Sequence, residues 1–207
     1  MAHNIYYEYI DKDYREKVDY YLDLIKEYSE ETYVHSLETA NIALAIAKEM
    51  PTLASSKQQL INIYMAGLLH DVGKTAIDKN ILFKNGKLEP AEFEIVKKHS
   101  EYSYEMLKGQ FPEEIVELCY HHHEKLNGNG YPQRLTENEL SKANRVMTIA
   151  DVTSALIMKR SYKEALDIGV VKKILGTMVE SGEIDKSIVN IANNTVLNNA
   201  NFNKLMH

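Results

Sequence analysis

The sequence is poor in the residues that staple or interrupt a chain. It holds one cysteine, Cys119, so no intramolecular disulfide can form, and a reducing cytoplasm is the expected setting. Prolines number 4 and glycines 9 in 207 residues, few for this length. Long apolar runs are missing too. The longest are stretches such as MAGLL and ANIALAIA, far from the roughly 20 residues that a membrane-spanning helix needs. The opening MAHNIYYEYIDKDY has neither a basic segment nor an apolar one behind it, so a secretory leader is not expected. Positive charge is outnumbered, with 24 lysines and arginines against 30 aspartates and glutamates. A net charge of -6 disfavours broad binding to a nucleic-acid backbone. A small anionic ligand stays open, because bound metal ions can reverse the local sign.

What is present reads as helix. The hydrophobic share of 44% and charged share of 26% are those of an ordinary globular domain, and the length suits one. Apolar residues recur three and four apart rather than alternating. Val18, Tyr21, Leu22 and Ile25 share a face of a helix over 13–28; Val34, Leu37, Ile42, Ala45 and Ile46 share one over 31–49. Further helices are expected over 57–70, 90–108 with Pro90 in its first turn, 112–123, 137–159, 163–180 and 184–198. No stretch reads as a strand. The expectation is an all-α, compact bundle of about eight helices. It comprises a helical lead-in over 1–30 and a single globular unit over 31–207. The tyrosine-rich IYYEYIDKDY is expected to pack on its own domain, and the asparagine-rich tail still carries apolar positions at helical spacing.

The residues able to hold metal fall into a few words. Glu31 and His35 lie four apart, on one helix face. LLHDVGK supplies His70, Asp71 and Lys74; VKKHS supplies His99; HHHE supplies His121, His122, His123 and Glu124. Asp151 sits in the apolar stretch TIADVTSA, where a buried carboxylate needs a metal ion, an arginine or a lysine beside it. Six of the 8 histidines lie between positions 35 and 123; His3 and His207 are at the ends. A lone histidine is more often a packed side chain than a ligand. The set carries more weight than its members. Imidazoles and carboxylates without thiolates suit iron, manganese or zinc. There are more ligands than one ion takes, and shared carboxylates would hold two ions roughly 3.5–4 Å apart.

HS at 35, HDVGK at 70, KKHS at 97 and HHE…GNGYP at 122 together resemble the HD-GYP family of metal-dependent phosphodiesterases, over residues 31–175. The resemblance implies an all-helical enzyme that opens cyclic di-GMP to the linear dinucleotide or GMP; metal coordination, which lowers the pKa of water toward about 7, predicts a hydroxide bridging two metals as the nucleophile. The resemblance also implies His35, His70, Asp71, His99, His122, His123 and Asp151 as ligands of two divalent ions, iron or manganese, with Asp71 bridging. Glu31 matches the extra ligand of members with three ions. Lys74 matches the contact to the scissile phosphate, and Arg160 and Lys163 match the basic residues toward the substrate phosphates. Gly130 and Tyr131 belong to a loop that borders the site and is implicated in contacts with diguanylate cyclase partners. The family wording begins at His122, leaving His121 outside it; Glu124 is read either as orienting a ligand imidazole or as a surface carboxylate. Gly128 and Gly130 are read as places for positive φ.

Three positions depart from the family pattern. Asn127 and Ser154 stand where it has Asp, and Ser161 where it has Pro. They bear on the loop and on the surroundings of Asp151, and remove no ligand. Arg160 follows Asp151 by nine residues, so it reaches the site only if the helix ends near 158–161. Rival readings are an HD hydrolase for another nucleotide such as a mixed cyclic GMP-AMP, a binding module that senses the dinucleotide or docks a cyclase, and a di-iron oxygenase.

Overall fold

Side chains with a free oxygen start most of the helices. In the computed structural model, which describes residues 6–158 and 166–198, Asp11 accepts the amide of Asp13 to open α1 (Lys12–Tyr28). Ser29 ends α1 and caps α2 (Glu30–Lys48), so the lead-in joins the next helix through one residue. The short α3 (Pro51–Ala54) is followed by α4 (Lys57–Leu69), capped by Ser56. A 3-10 turn covers Val72–Ala76, then α5 (Lys79–Leu82). Helix α6 (Pro90–Lys97) has its proline in the first turn, as expected. Next come α7 (His99–Leu107), α8 (Glu113–Tyr120) and α9 (Lys142–Ile157), the last opened by a reciprocal Ser141–Asn144 cap. Asp167 opens α10 (Ile168–Glu180) and Asp185 opens α11 (Lys186–Ala192), which runs into a π turn at Asn193–Leu197. Eight helices have eight residues or more, and no strand occurs among the described residues.

Three expected helices differ in ways that matter. The helix expected over 90–108 divides at Lys98, whose amide bonds to Ile95 three residues back, a 3-10 step that starts a new helix at His99. The one over 112–123 stops at Tyr120, so His122 and His123 lie in the turn beyond it. The one over 137–159 begins at Lys142 and ends at Ile157, because Thr136 and Glu139 close a local turn and Ser141 supplies the cap.

The core forms around α2. Ala40, Ile42, Ala43, Ile46 and Ala47 are wholly buried, and α2 packs against both α4 and α9. Helix α1 adds Val18, Leu22 and Ile25 to the same core. Two of its tyrosines are tied down: Tyr21 Oη donates to the carbonyl of Met106 at 2.7 Å, and Tyr28 Oη to that of Ile77 at 2.8 Å. Among the described residues no helix is long and apolar enough to cross a membrane.

Helices α2 and α4 approach closely at Gly67. A Cβ there would lie 2.4 Å from Ala40 Cα. Alanine for glycine on an open helix gains about 1 kcal/mol. Here the clash is with backbone, and overpacking commonly costs about 1–3 kcal/mol. Gly67→Ala is expected to lower stability by urea unfolding, whereas a gain would mean that the helices separate freely.

Candidate metal centre

Five segments deliver the site. Helix α2 presents His35 from its buried face, and His70 caps the end of α4 with Asp71 directly after it. His99 is the first residue of α7, and His122 and His123 follow α8. Asp151 projects from the middle of α9. All are buried except the half-buried His123. Their ligand atoms form two groups, His35 with His70 and Asp71, and His99 with His122 and His123.

Asp71 faces both groups. Its Oδ2 is 3.6 Å from His35 Nε2 and 3.4 Å from His70 Nε2. Its Oδ1 is 3.5 Å from His99 Nε2 and 3.9 Å from His122 Nε2. Asp151 also spans them: Oδ1 is 2.9 Å from His35 Nε2 and 3.6 Å from His70 Nε2, and Oδ2 is 3.6 Å from His123 Nδ1. Each oxygen thus serves one group, the arrangement a carboxylate needs to bridge two cations.

The donor set fits metal. His70, His99 and His122 each point Nδ1 at the carbonyl three residues back, at 2.9, 2.7 and 2.6 Å. A carbonyl only accepts, so the proton is on Nδ1, and these rings turn Nε2 inward. His99 Nε2 lies 3.2 Å from His122 Nε2 and 3.1 Å from His123 Nε2, nitrogens that gather around a point where a cation would satisfy them. His70 Nε2 and Asp71 Oδ1 are buried without a hydrogen-bond partner. Burial pushes His99 down to about 3 and His123 down to about 4, and lowers His35 and His122 as well, so these rings are neutral at pH 7. Burial alone would raise Asp71, but Lys74 and His70 outweigh it and hold the carboxyl below its usual range; His35 and His70 do the same for Asp151. His70 is the exception. Burial pulls it down, yet the two aspartates carry it up to about 10.

Residues 21–188 match the HD domain family. The chain belongs to that family. It is 32% identical over 164 residues to 3'3'-cGAMP-specific phosphodiesterase 1 of Vibrio cholerae, covering 79% of this chain and 37% of that protein. It is 35% identical over 142 residues to the cyclic di-GMP phosphodiesterase PA4108 of Pseudomonas aeruginosa, covering 68% of this chain and 34% of that one. The chain therefore spans little more than a third of the length of these relatives. The HD domain of the L. monocytogenes phosphodiesterase PgpH shares the fold, with a TM-score of 0.65 at 19% identity, over 90% of this chain and 99% of that one.

Other residues of this HD domain take up distinct places. Lys74 Nζ donates to Asp71 Oδ2 at 2.5 Å. Glu31 is half-buried one helical turn before His35 and belongs to neither ligand group. His121 turns away, its Nδ1 3.1 Å from Glu117 and its Nε2 2.9 Å from Gln133. Arg160, Ser161 and Lys163 lie outside the described residues, although α9 does end before them, at Ile157. Glu124 is neither a surface group nor a partner of an imidazole. It is 1% exposed and accepts the consecutive amides of Gln133, Arg134 and Leu135, pinning the loop. Gly128 has φ 75°, as expected, but Gly130 is not in that region; a Cβ on it would lie 2.5 Å from Glu124 Cα, so close approach requires the glycine. Tyr131 lies 4.7 Å from the ring of His123. Asn127 donates to the carbonyl of Ser181 at 3.1 Å, which an aspartate could not do.

Ser154 has a clear place. Its Oγ is 2.9 Å from His35 Nδ1, on the far side of the ring from Asp151. Losing such an outer partner typically costs about 10–100-fold in metal affinity. Ser154→Ala is expected to weaken metal retention by that factor in chelator competition, with the fold retained by circular dichroism; unchanged retention would show that Asp151 alone orients His35.

Proposed function

We propose that this HD domain is a metal-dependent phosphodiesterase that opens cyclic di-GMP to the linear dinucleotide, GMP or both. The observation that carries the reading is Asp71, whose two oxygens each face a different group of imidazoles. On this reading Glu31, His35, His70, Asp71, His99, His122, His123 and Asp151 hold two or three divalent ions, iron or manganese. Bound there, such ions supply a hydroxide nucleophile at neutral pH and neutralise charge on the phosphate.

The chain's own groups do the rest. Buried imidazoles kept neutral offer lone pairs. Asp71 and Asp151 stay anionic and hold the two ligand groups together. Lys74, paired with Asp71 and with its side chain 17% exposed, stabilises charge on the non-bridging phosphate oxygens in this account. Arg160 and Lys163 bind the substrate phosphates in this account. Gly130 and Tyr131 form the lip of the site, and the same loop docks diguanylate cyclase partners. Residues 31–207 act as one catalytic unit behind the lead-in over 1–30, in the cytoplasm, where the single cysteine stays reduced. A mixed cyclic GMP-AMP is the second reading for substrate, supported by the V. cholerae relative's specificity for that nucleotide.

Anaerobically purified protein loaded with iron or manganese is expected to convert cyclic di-GMP to linear dinucleotide or GMP by chromatography. Asp71→Ala is expected to lower the rate by at least about 10²–10³-fold. If the loaded wild type binds the dinucleotide and leaves it intact, the domain is a sensor rather than an enzyme.

A further inference from the structure

Arg134 is the one non-glycine among the described residues with a left-handed backbone, at φ 59°. An L side chain is disfavoured there, and glycine would avoid the cost. The conformation is held in place. The buried Glu124 carboxylate accepts Gln133 N at 2.6 Å, Arg134 N at 3.0 Å and Leu135 N at 3.0 Å. Strain kept by such an anchor is a pointer to function when the side chain has somewhere to act.

Arg134 does have such a place. With Lys97, Lys98, Lys125 and Tyr131 it lines a cleft of about 600 Å³. This cleft abuts the metal centre, since Tyr131 lies against His123 and Lys98 immediately precedes His99. Two of its cations are already engaged: Lys97 pairs with Glu94 at 2.5 Å, and Lys125 with Glu183 at 2.6 Å. Arg134 and Lys98 form no ion pair among the described residues, and Glu101 stands on the same rim. An exposed guanidinium on a backbone anchored by Glu124, lining the same cleft as Tyr131 with Lys97 over that ring at 5.7 Å, suits a nucleotide.

We propose that Arg134 is a substrate-binding residue, its guanidinium gripping two adjacent acceptor atoms of the cyclic dinucleotide. This rests on the phosphodiesterase reading above. The acceptors are either two phosphate oxygens or the O6 and N7 of a guanine, both of which match the fork.

The test uses the full chain with Arg134→Gly and Arg134→Lys, measuring melting temperature and the affinity for cyclic di-GMP and cyclic di-AMP by equilibrium dialysis. Glycine relieves the backbone, so Arg134→Gly is expected to melt no lower than wild type. It is expected to bind about tenfold or more weakly, and lysine, which keeps charge but not the fork, to recover only part of the loss. An equal loss on both nucleotides assigns the grip to phosphate; a loss confined to cyclic di-GMP assigns it to guanine. Arg134→Gly binding both as tightly as wild type would overturn the proposal alone. A wild type that binds neither would remove the phosphodiesterase reading and this proposal with it, so the two failures are told apart by the wild-type measurement.

Discussion

A wholly buried carboxylate, Asp71, sits between two sets of imidazoles, and the rest of the structure serves that placement. An isolated buried anion is costly, as are nitrogen lone pairs crowded together. Lys74 offsets part of the charge from one side. Two carboxylates crowd His70 Nε2, and one oxygen of Asp71 is left without a hydrogen-bond partner. Divalent cations would answer both demands together, which is why the site reads as a metal centre rather than as a packed polar core.

The supports around the ligands are short-range and repeated. His70, His99 and His122 each fold back on the carbonyl three residues earlier, so each ring is set by its own turn of chain. The turns are in turn set by helix packing. Gly67 lets α4 approach α2 closely enough to bring His70 to His35 and Asp151. Ser154 fixes His35 from outside, and Glu124 fixes the loop that carries Tyr131. Stability and site geometry are therefore coupled through residues that touch no substrate.

Much of this was legible in the residues. The three-and-four spacing of apolar positions pointed to an all-helical fold, and the described residues form eight helices of eight residues or more against about eight expected, although the one expected over 90–108 is two. His70 at the end of a helix and Asp151 on a buried face were both readable from flanking apolar residues. Other features were not, for physical reasons. A step of 3-10 backbone at Lys98 leaves no mark in periodicity. The helix end at Tyr120 depends on His122 taking the carbonyl of Cys119, a choice between local and helical bonding that composition does not decide. Glu124 read either as orienting a ligand imidazole or as a surface carboxylate, because its partners, three backbone amides, are invisible in side-chain patterns. Ser154 stood out only as a departure, and its contact with His35 spans 119 positions of chain.

The most direct test of the account is a calorimetric titration of manganese into metal-stripped protein, followed by a thermal melt of the saturated form. The account predicts two or more ions bound per chain and a melting temperature that rises with metal, since ligand binding to the folded state alone stabilises it. No bound ion, with a melting temperature indifferent to manganese and to iron, would contradict it.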